Sequence, residues 1–370
     1  MRFVFLGTRG VPARYGGFET AIEEIGPRLA ERGHEVIVYC RGGDRSLRRY
    51  RGMTLVHLPA YKRRMLETVS HSTLAVLHLI CLVPADAIVL FNVANGPLLL
   101  LLRMTRIPVA VHVDGLEWKR AKWSGLTRRY LRFAEGWSVR LADAVIADAT
   151  AISDYLGRQY GRASEVIAYG APLIAPGNSD LAGYNLTARQ YHLVVARLEP
   201  ENNVDLIVRG YLQSAAAFPL VLVTSAVYST SYEAAFLDLA GPDTGIRLVG
   251  PIWDQPKLDQ LYANALTYIH GHSVGGTNPS LLRAMGAGTP VIAYDVIFNR
   301  EATASLAYFF TDEKDVAKSI TSAEQAPDDA LRLGRLARSM ASSRYVWDDV
   351  AADYEALLRR LAENVQRARR

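Results

Sequence analysis

Cysteine is scarce: the 370 residues hold two, Cys40 and Cys81. That excludes a disulfide-stapled secreted scaffold, and without a Cys/His cluster it gives no support to a structural zinc site. Both cysteines sit in apolar stretches and are expected as reduced, buried thiols. No uninterrupted apolar run reaches the ~20 residues of a spanning helix. The most apolar region, Leu74 to Leu102, is broken by His78, Pro84, Asp86, Asn92, Asn95 and Pro97. The apolar start, Met1 to Gly7, runs into a charged glycine-rich loop with no small-residue cleavage site, so it reads as a first strand rather than a leader. A cytoplasmic protein, at most peripheral at a membrane, is expected. G-x-G-x-x-G, Walker A and Asp-x-Asp patterns are also missing, which removes support for dehydrogenase and P-loop chemistry. Neither a metal nor another cofactor is expected.

What is present describes an ordinary globular protein, half hydrophobic and about one-fifth charged, long enough for two or three domains. Its net charge of +5 hides an asymmetry. Residues 1–170 carry 24 basic and 15 acidic side chains, whereas residues 171–370 carry 18 and 22. The densest basic stretch runs from Arg41 to Arg64 with only Asp44 opposing it. An anionic membrane or a phosphate-bearing ligand accounts for it better than nucleic acid, because the second half is acidic and no nucleic-acid module is present.

Short apolar runs alternate with helical patterns along the whole chain, the signature of α/β domains with doubly wound parallel sheets. Strands are expected at 2–7, 35–40, 53–58, 86–91, 107–113, 143–147 and 164–168, then at 191–196, 219–224, 246–249, 266–270, 290–294 and 306–310. Glu19 to Arg32 reads as a helix whose apolar face is Ala21, Ile22, Ile25 and Leu29. Residues 170–190, rich in Pro, Gly and Ser, lack periodicity. The expected organisation is a first domain over 1–172, a linker over 173–190, a second domain over 191–345, and a terminal helix within 346–370 packing back toward the first. Ligands in such sheets bind beyond the carboxyl ends of the strands.

The first strand runs into Gly10-Val11-Pro12-Ala13-Arg14-Tyr15-Gly16-Gly17-Phe18-Glu19-Thr20. Glycines before a helix N-terminus let a phosphate or a sugar hydroxyl approach the backbone. This run, together with Val113 to Arg120, Ala196 to Asn203, Gly271 to Ser280 and Phe298 to Glu301, resembles family 4 glycosyltransferases, in particular the branch of bacterial β-1,4-rhamnosyltransferases of polysaccharide assembly. The resemblance covers nearly the whole chain. It implies a GT-B fold with two facing Rossmann-like domains and a cleft between them. It implies retaining transfer of a hexose, L-rhamnose first, from a nucleotide diphosphate sugar to a glycan or lipid-linked hydroxyl. In that reading the nucleotide sugar is a co-substrate, and the nearest alternatives are an epimerase of the same architecture or an inactive sugar-nucleotide binder.

Individual residues follow. Asp114 and Glu117, at the end of the 107–113 strand, are the candidate catalytic carboxylates. The alternative is a helix cap by Asp114 with a Glu117–Arg120 pair. Arg197 ends the 191–196 strand and suits a leaving diphosphate, in preference to an ion pair with Glu199 or Glu201. The resemblance implies a lysine five residues on, where this chain has Asn202, so charge neutralisation of the leaving group is expected to be weaker or to come from elsewhere, with Arg283 and Arg300 as candidates. Gly16, Gly17, His272, Gly275, Gly276, Thr277, Asn278, Ser280 and Glu301 complete the expected donor site. Two glutamates of the common family pattern are absent, their places taken by Gly275 and Arg283. Lys62, Arg63, Arg64 and Trp118 are expected on the acceptor or membrane side.

Overall fold

The computed structural model describes residues 1–13, 16–42, 44–61, 64–113, 115–120, 123–177, 181–225, 239, 241 and 244–369. Asp114, Lys62 and Arg63 lie outside them, as does the side chain of Arg64. The chain divides into two compact units: 1–119 with 123–170 and 347–370, and 120–122 with 171–346.

The first unit is built on an eight-stranded sheet: β1 (Arg2–Leu6), β2 (Glu35–Arg41), β3 (Arg49–Tyr50), β4 (Met53–Leu58), β5 (Ala87–Phe91), β6 (Val109–Val113), β7 (Ala144–Ala147) and β8 (Glu165–Val166). Its order is β3-β4-β2-β1-β5-β6-β7-β8, parallel except for β3 against β4. Phe3 to Leu6, Ala87 to Phe91 and Val109 to Val113 are wholly buried. Such continuous apolar strands require helices on both faces of the sheet. The helices are α1 (Gly17–Glu31), α2 (Arg64–Leu82), α3 (Leu99–Arg103), α4 (Gly125–Leu141), α5 (Thr150–Tyr160) and, from the chain's far end, a long terminal helix over Trp347–Arg369. The right-handed crossover rule divides them. The step from β1 to β2 puts α1 on one face, and the reversed direction of the helix crossovers from β4 onward puts α2 to α5 on the other. The terminal helix joins α1, with Arg28 Nε donating to Asp348 at 2.9 Å and Arg32 Nη1 to Glu355 at 3.1 Å.

The second unit carries a six-stranded parallel sheet of β9 (His192–Arg197), β10 (Leu220–Ser225), β11 (Ile246–Leu248), β12 (Thr267–His270), β13 (Val291–Tyr294) and β14 (Tyr308–Phe310), in the order β11-β10-β9-β12-β13-β14. Its helices are α6 (Val204–Gln213), α7 (Gln255–Asn264), α8 (Pro279–Gly286), α9 (Ile297–Thr303), α10 (Glu313–Gln325) and α11 (Pro327–Arg344), which makes the terminal helix α12. Val194, Ile207, Val208, Leu222, Ile269, Ile292 and Phe310 form the core of one face. Residues 173–190 belong to this unit and are tied into it, as where Asn264 Nδ2 donates to the Gly177 carbonyl at 3.1 Å.

All thirteen expected strands are present; β3, two residues long, was missed because an edge strand that short leaves no periodicity to read. One expectation about the cysteines fails. Cys40 is buried, but Cys81 is exposed, because it falls on the outward stripe of α2.

Candidate nucleotide-sugar site

Each sheet has one place where successive connections reverse direction. In the second unit the chain runs outward from β9 through β10 to β11, then returns to place β12 on the other side of β9. Such a switch point leaves a crevice at the carboxyl ends of the two central strands. The pairing shows it open here: β9 and β10 stay in register up to Arg197 opposite Ser225, whereas β9 and β12 pair only at His192–Thr267 and Leu193–Tyr268. Arg197 therefore ends one bank of the crevice, and the loop from Gly271 to Asn278 continues the other.

That loop is held by backbone contacts. Asn203, in left-handed conformation at φ +49°, donates Nδ2 to the Gly271 carbonyl at 2.7 Å. Ser273 gives both its N–H and its hydroxyl to the Glu201 carbonyl at 2.9 Å. Asn299 Nδ2 reaches the His272 carbonyl at 3.0 Å. A Cβ on Gly271 would run into the Asn202 carbonyl oxygen, so only glycine permits this close approach. Gly275, at φ +143°, faces open space, while Gly276 and Thr277 are buried beside it. The loop ends at α8, where Asn278 Oδ1 accepts from Ser280 N–H at 3.0 Å and from its hydroxyl at 2.8 Å. That cap fixes the helix terminus and leaves its partial positive charge at the crevice mouth.

Electrostatics sharpen the picture. The His270 and His272 rings stack at 4.4 Å, and both imidazoles are held neutral. Burial pushes His270 down to about 3. Burial, His270 and the nearby Arg197 and Arg120 hold His272 well below the usual imidazole range. A neutral His272 suits hydrogen bonding to a sugar hydroxyl better than service as an acid. Arg197 Nη1 lies 3.3 Å from Glu199 Oε1, so the ion pair set aside in the sequence reading exists. Arg120, grouped with this unit, lies 3.9 Å from both Glu199 and Glu201. Two arginines thus surround a buried acidic pair, an arrangement the sequence did not disclose because Arg120 is about eighty residues away from it.

Other expectations meet definite surroundings. Asn202 is buried and donates to the Arg197 carbonyl at 2.8 Å, so it braces the strand end. Arg283, on α8, is paired with Asp259 on α7. Arg300 forms a two-pronged pair with Asp295 at 2.5 and 2.6 Å and lies over the Phe309 ring. Each of these arginines is engaged by a carboxylate, as Arg197 is by Glu199. Glu301 sits on α9 with Arg344 at 3.9 Å.

In the first unit the switch point lies between β1 and β5, where Gly7 at φ +100° abuts the Phe91 carbonyl. Gly16 and Gly17 open α1, but Glu19 of its first turn is buried and accepts from Arg9 N–H at 2.8 Å. A carboxylate already occupies that helix terminus, so it suits a hydroxyl better than a phosphate. Glu117 accepts from Trp123 Nε1 at 3.0 Å, while Trp118 is half-buried beneath Lys119 and Arg132. Among the described residues no three His, Cys, Asp or Glu side chains cluster as a metal site.

Residues 16–170 match the model of the glycosyl transferase 4-like domain. The structure superposes on sucrose-phosphate synthase from Thermosynechococcus elongatus with a TM-score of 0.85, at 19% identity, over 97% of this chain and 98% of that one. The fold is GT-B. The Anabaena protein HepE, solved with UDP, superposes with a TM-score of 0.77 at 18% identity over 98% of this chain and all of that one. The O-antigen chain mannosyltransferase B of Escherichia coli is 25% identical over 175 residues, which are 46% of this chain and 45% of that relative's length. The matched model spans α1 and the strands β2 to β8 of the first unit, and the GT-B architecture accounts for two parallel-sheet units in one chain.

Proposed function

We propose that this GT-B protein is a glycosyltransferase that binds a nucleoside diphosphate sugar at the β9/β12 crevice and transfers the sugar to a hydroxyl of a glycan or lipid-linked acceptor. The observation that carries the reading is the early end of β9–β12 pairing, with Arg197 on one bank and a glycine-rich loop leading to a capped helix on the other. A diphosphate is held by cations and by the positive end of a helix, and this crevice has Arg197 on one bank and the N-terminus of α8 at the end of the other. HepE, with the same fold, has been solved with UDP and with UDP-glucose.

In the reaction, the C1–oxygen bond to the diphosphate breaks and the bond from the acceptor oxygen to C1 forms. The acceptor proton passes to a departing phosphate oxygen, so the neutral His272 need not donate one. Departure and attack on the same face would retain anomeric configuration. Asp114 and Glu117 are the carboxylates proposed to orient the acceptor side. The family resemblance places dTDP-L-rhamnose first among donors, and the mannosyltransferase relative adds a nucleoside diphosphate mannose to the panel.

The test incubates the full chain with a panel of nucleotide sugars, with and without lipid-diphosphate-linked acceptors, and follows nucleotide release and product anomer. Acceptor-dependent release supports the proposal. Isomerised donor would favour an epimerase, and binding without turnover an inactive binder in which the Arg283–Asp259 pair has replaced catalytic carboxylate chemistry.

A further inference from the structure

The two helical layers of the first unit differ in a way that sugar transfer does not explain. The layer of α1 and α12 carries a net charge of −4; the layer of α2 to α5 carries +4. Exposed large apolar side chains follow the same division. None of the described residues of α1 or α12 is among them. On the other layer they include Leu74, Leu77, Ile80 and Leu82 of α2, Leu100 of α3, and Met104 just after it, with Leu82 69% and Met104 80% exposed.

Helix α2 shows why this is not incidental. From Thr68 to Leu82 it has no charged residue. Its inward stripe, with Ala75, Val76 and Leu79, is buried in the sheet. A second apolar stripe, 74, 77 and 80–81, faces outward at helical spacing. A helix apolar on both stripes is normally covered on both, and contiguous exposed apolar surface marks an interaction site. The 93–98 turn packs against both α2 and α4, and α4 contributes exposed Leu126 and Phe133 together with exposed Arg128, Arg129, Arg132 and Arg140.

We infer that the α2–α4 face docks on an anionic phospholipid bilayer, its apolar side chains entering the interface and the α4 arginines meeting lipid phosphates. Cationic rims beside an apolar stripe are the pattern of interfacial binding. A second copy of the chain fits less well, since a two-fold contact would set the +4 layer against itself. This deepens the reading of a lipid-linked acceptor and extends the membrane-facing surface from residues 62–64 to a whole helical layer.

Exposed Cys81 lies within the outward stripe while Cys40 is buried, so one thiol can carry a polarity-sensitive fluorophore. With vesicles of phosphatidylcholine containing one-third phosphatidylglycerol, its emission should shift to the blue. Pure phosphatidylcholine should leave it unchanged, and high salt should reverse the shift. A label moved to α12, as Ala356→Cys in a Cys81→Ser background, should not respond. In vesicle sedimentation, Arg128→Gln with Arg129→Gln should weaken partition by roughly 25-fold, about fivefold per cation. Leu77→Asp with Ile80→Asp, at exposed positions that leave circular dichroism unchanged, should weaken it at least tenfold. No shift with anionic vesicles, equal shifts at both label positions, variants that partition like the wild type, or vesicle-independent self-association covering Cys81 would each overturn the inference. Binding is read without donor or acceptor, so its failure leaves the transferase proposal standing.

Discussion

Lowering the pH from 7.5 to 5.5 should cost this protein much of its stability, because three histidines are buried as neutral imidazoles. His71, His112 and His270 are essentially inaccessible. Burial holds His71 at about 4, with Arg41 adding to the effect, and His112 and His270 at about 3. In the unfolded chain each imidazole takes up its proton near 6.5. Their stabilisation is therefore complete above that value and drains away as the pH falls toward the folded values, since the unfolded state binds more protons throughout the window. One pH unit below 6.5 each site has lost about 1.4 kcal/mol, so the three together lose about 4 kcal/mol. Against a typical total of about 5–15 kcal/mol this is a large share. Glu135 and Asp259, which burial raises, work in the opposite direction and trim the loss. His272, shifted the same way as His270, adds to it. The assay is urea denaturation at the two pH values, repeated for His112→Gln and His270→Gln. Each variant should lose about a quarter to a third of the pH dependence, whatever its stability at pH 7.5. Equal stability at both pH values, or an undiminished dependence in both variants, would refute the argument.

Three further outcomes follow from the crevice. Arg197→Ala should weaken nucleotide-sugar binding by at least about tenfold, the loss of one charge-assisted contact to a diphosphate, with Arg197→Lys intermediate; calorimetric titration with UDP and dTDP sugars measures both. Gly271→Ala, forced against the Asn202 carbonyl, should destabilise the second unit by about 2 kcal/mol or more, read as a lowered melting temperature. Asn278→Ala removes the α8 cap and should cost about 1 kcal/mol of stability together with donor affinity, whereas Asn278→Ser or Asn278→Asp should retain most of the stability. A Ser or Asp variant as unstable as Ala would show that the side chain does more than cap.

Much of the architecture was legible because parallel strands covered on both faces must be apolar throughout, as Phe3 to Leu6 and Ala87 to Phe91 are. The Gly271 to Ser280 segment was legible for a related reason: glycines followed by Asn-Pro signal a turn into a capped helix whatever the rest of the chain does. The Arg197–Glu199 pair was open in the sequence because the two residues are neighbours, but the partners of more distant charges were not legible: Arg283 meets Asp259 and Arg120 meets Glu199 and Glu201, choices set by which segments the fold brings together. The exposure of Cys81 was hidden for the same reason, since an apolar helix does not say which of its stripes the sheet will cover.

Local sequence by itself therefore determined the strands, the helices and the glycine turns, since these depend on backbone conformation and on periodicity over a few residues. Tertiary structure alone decided where β9 and β12 part, which arginines are already spent on carboxylates, and that one helical layer is cationic and apolar while its counterpart is anionic. Those properties arise from long-range strand order and from burial, and no single segment carries them.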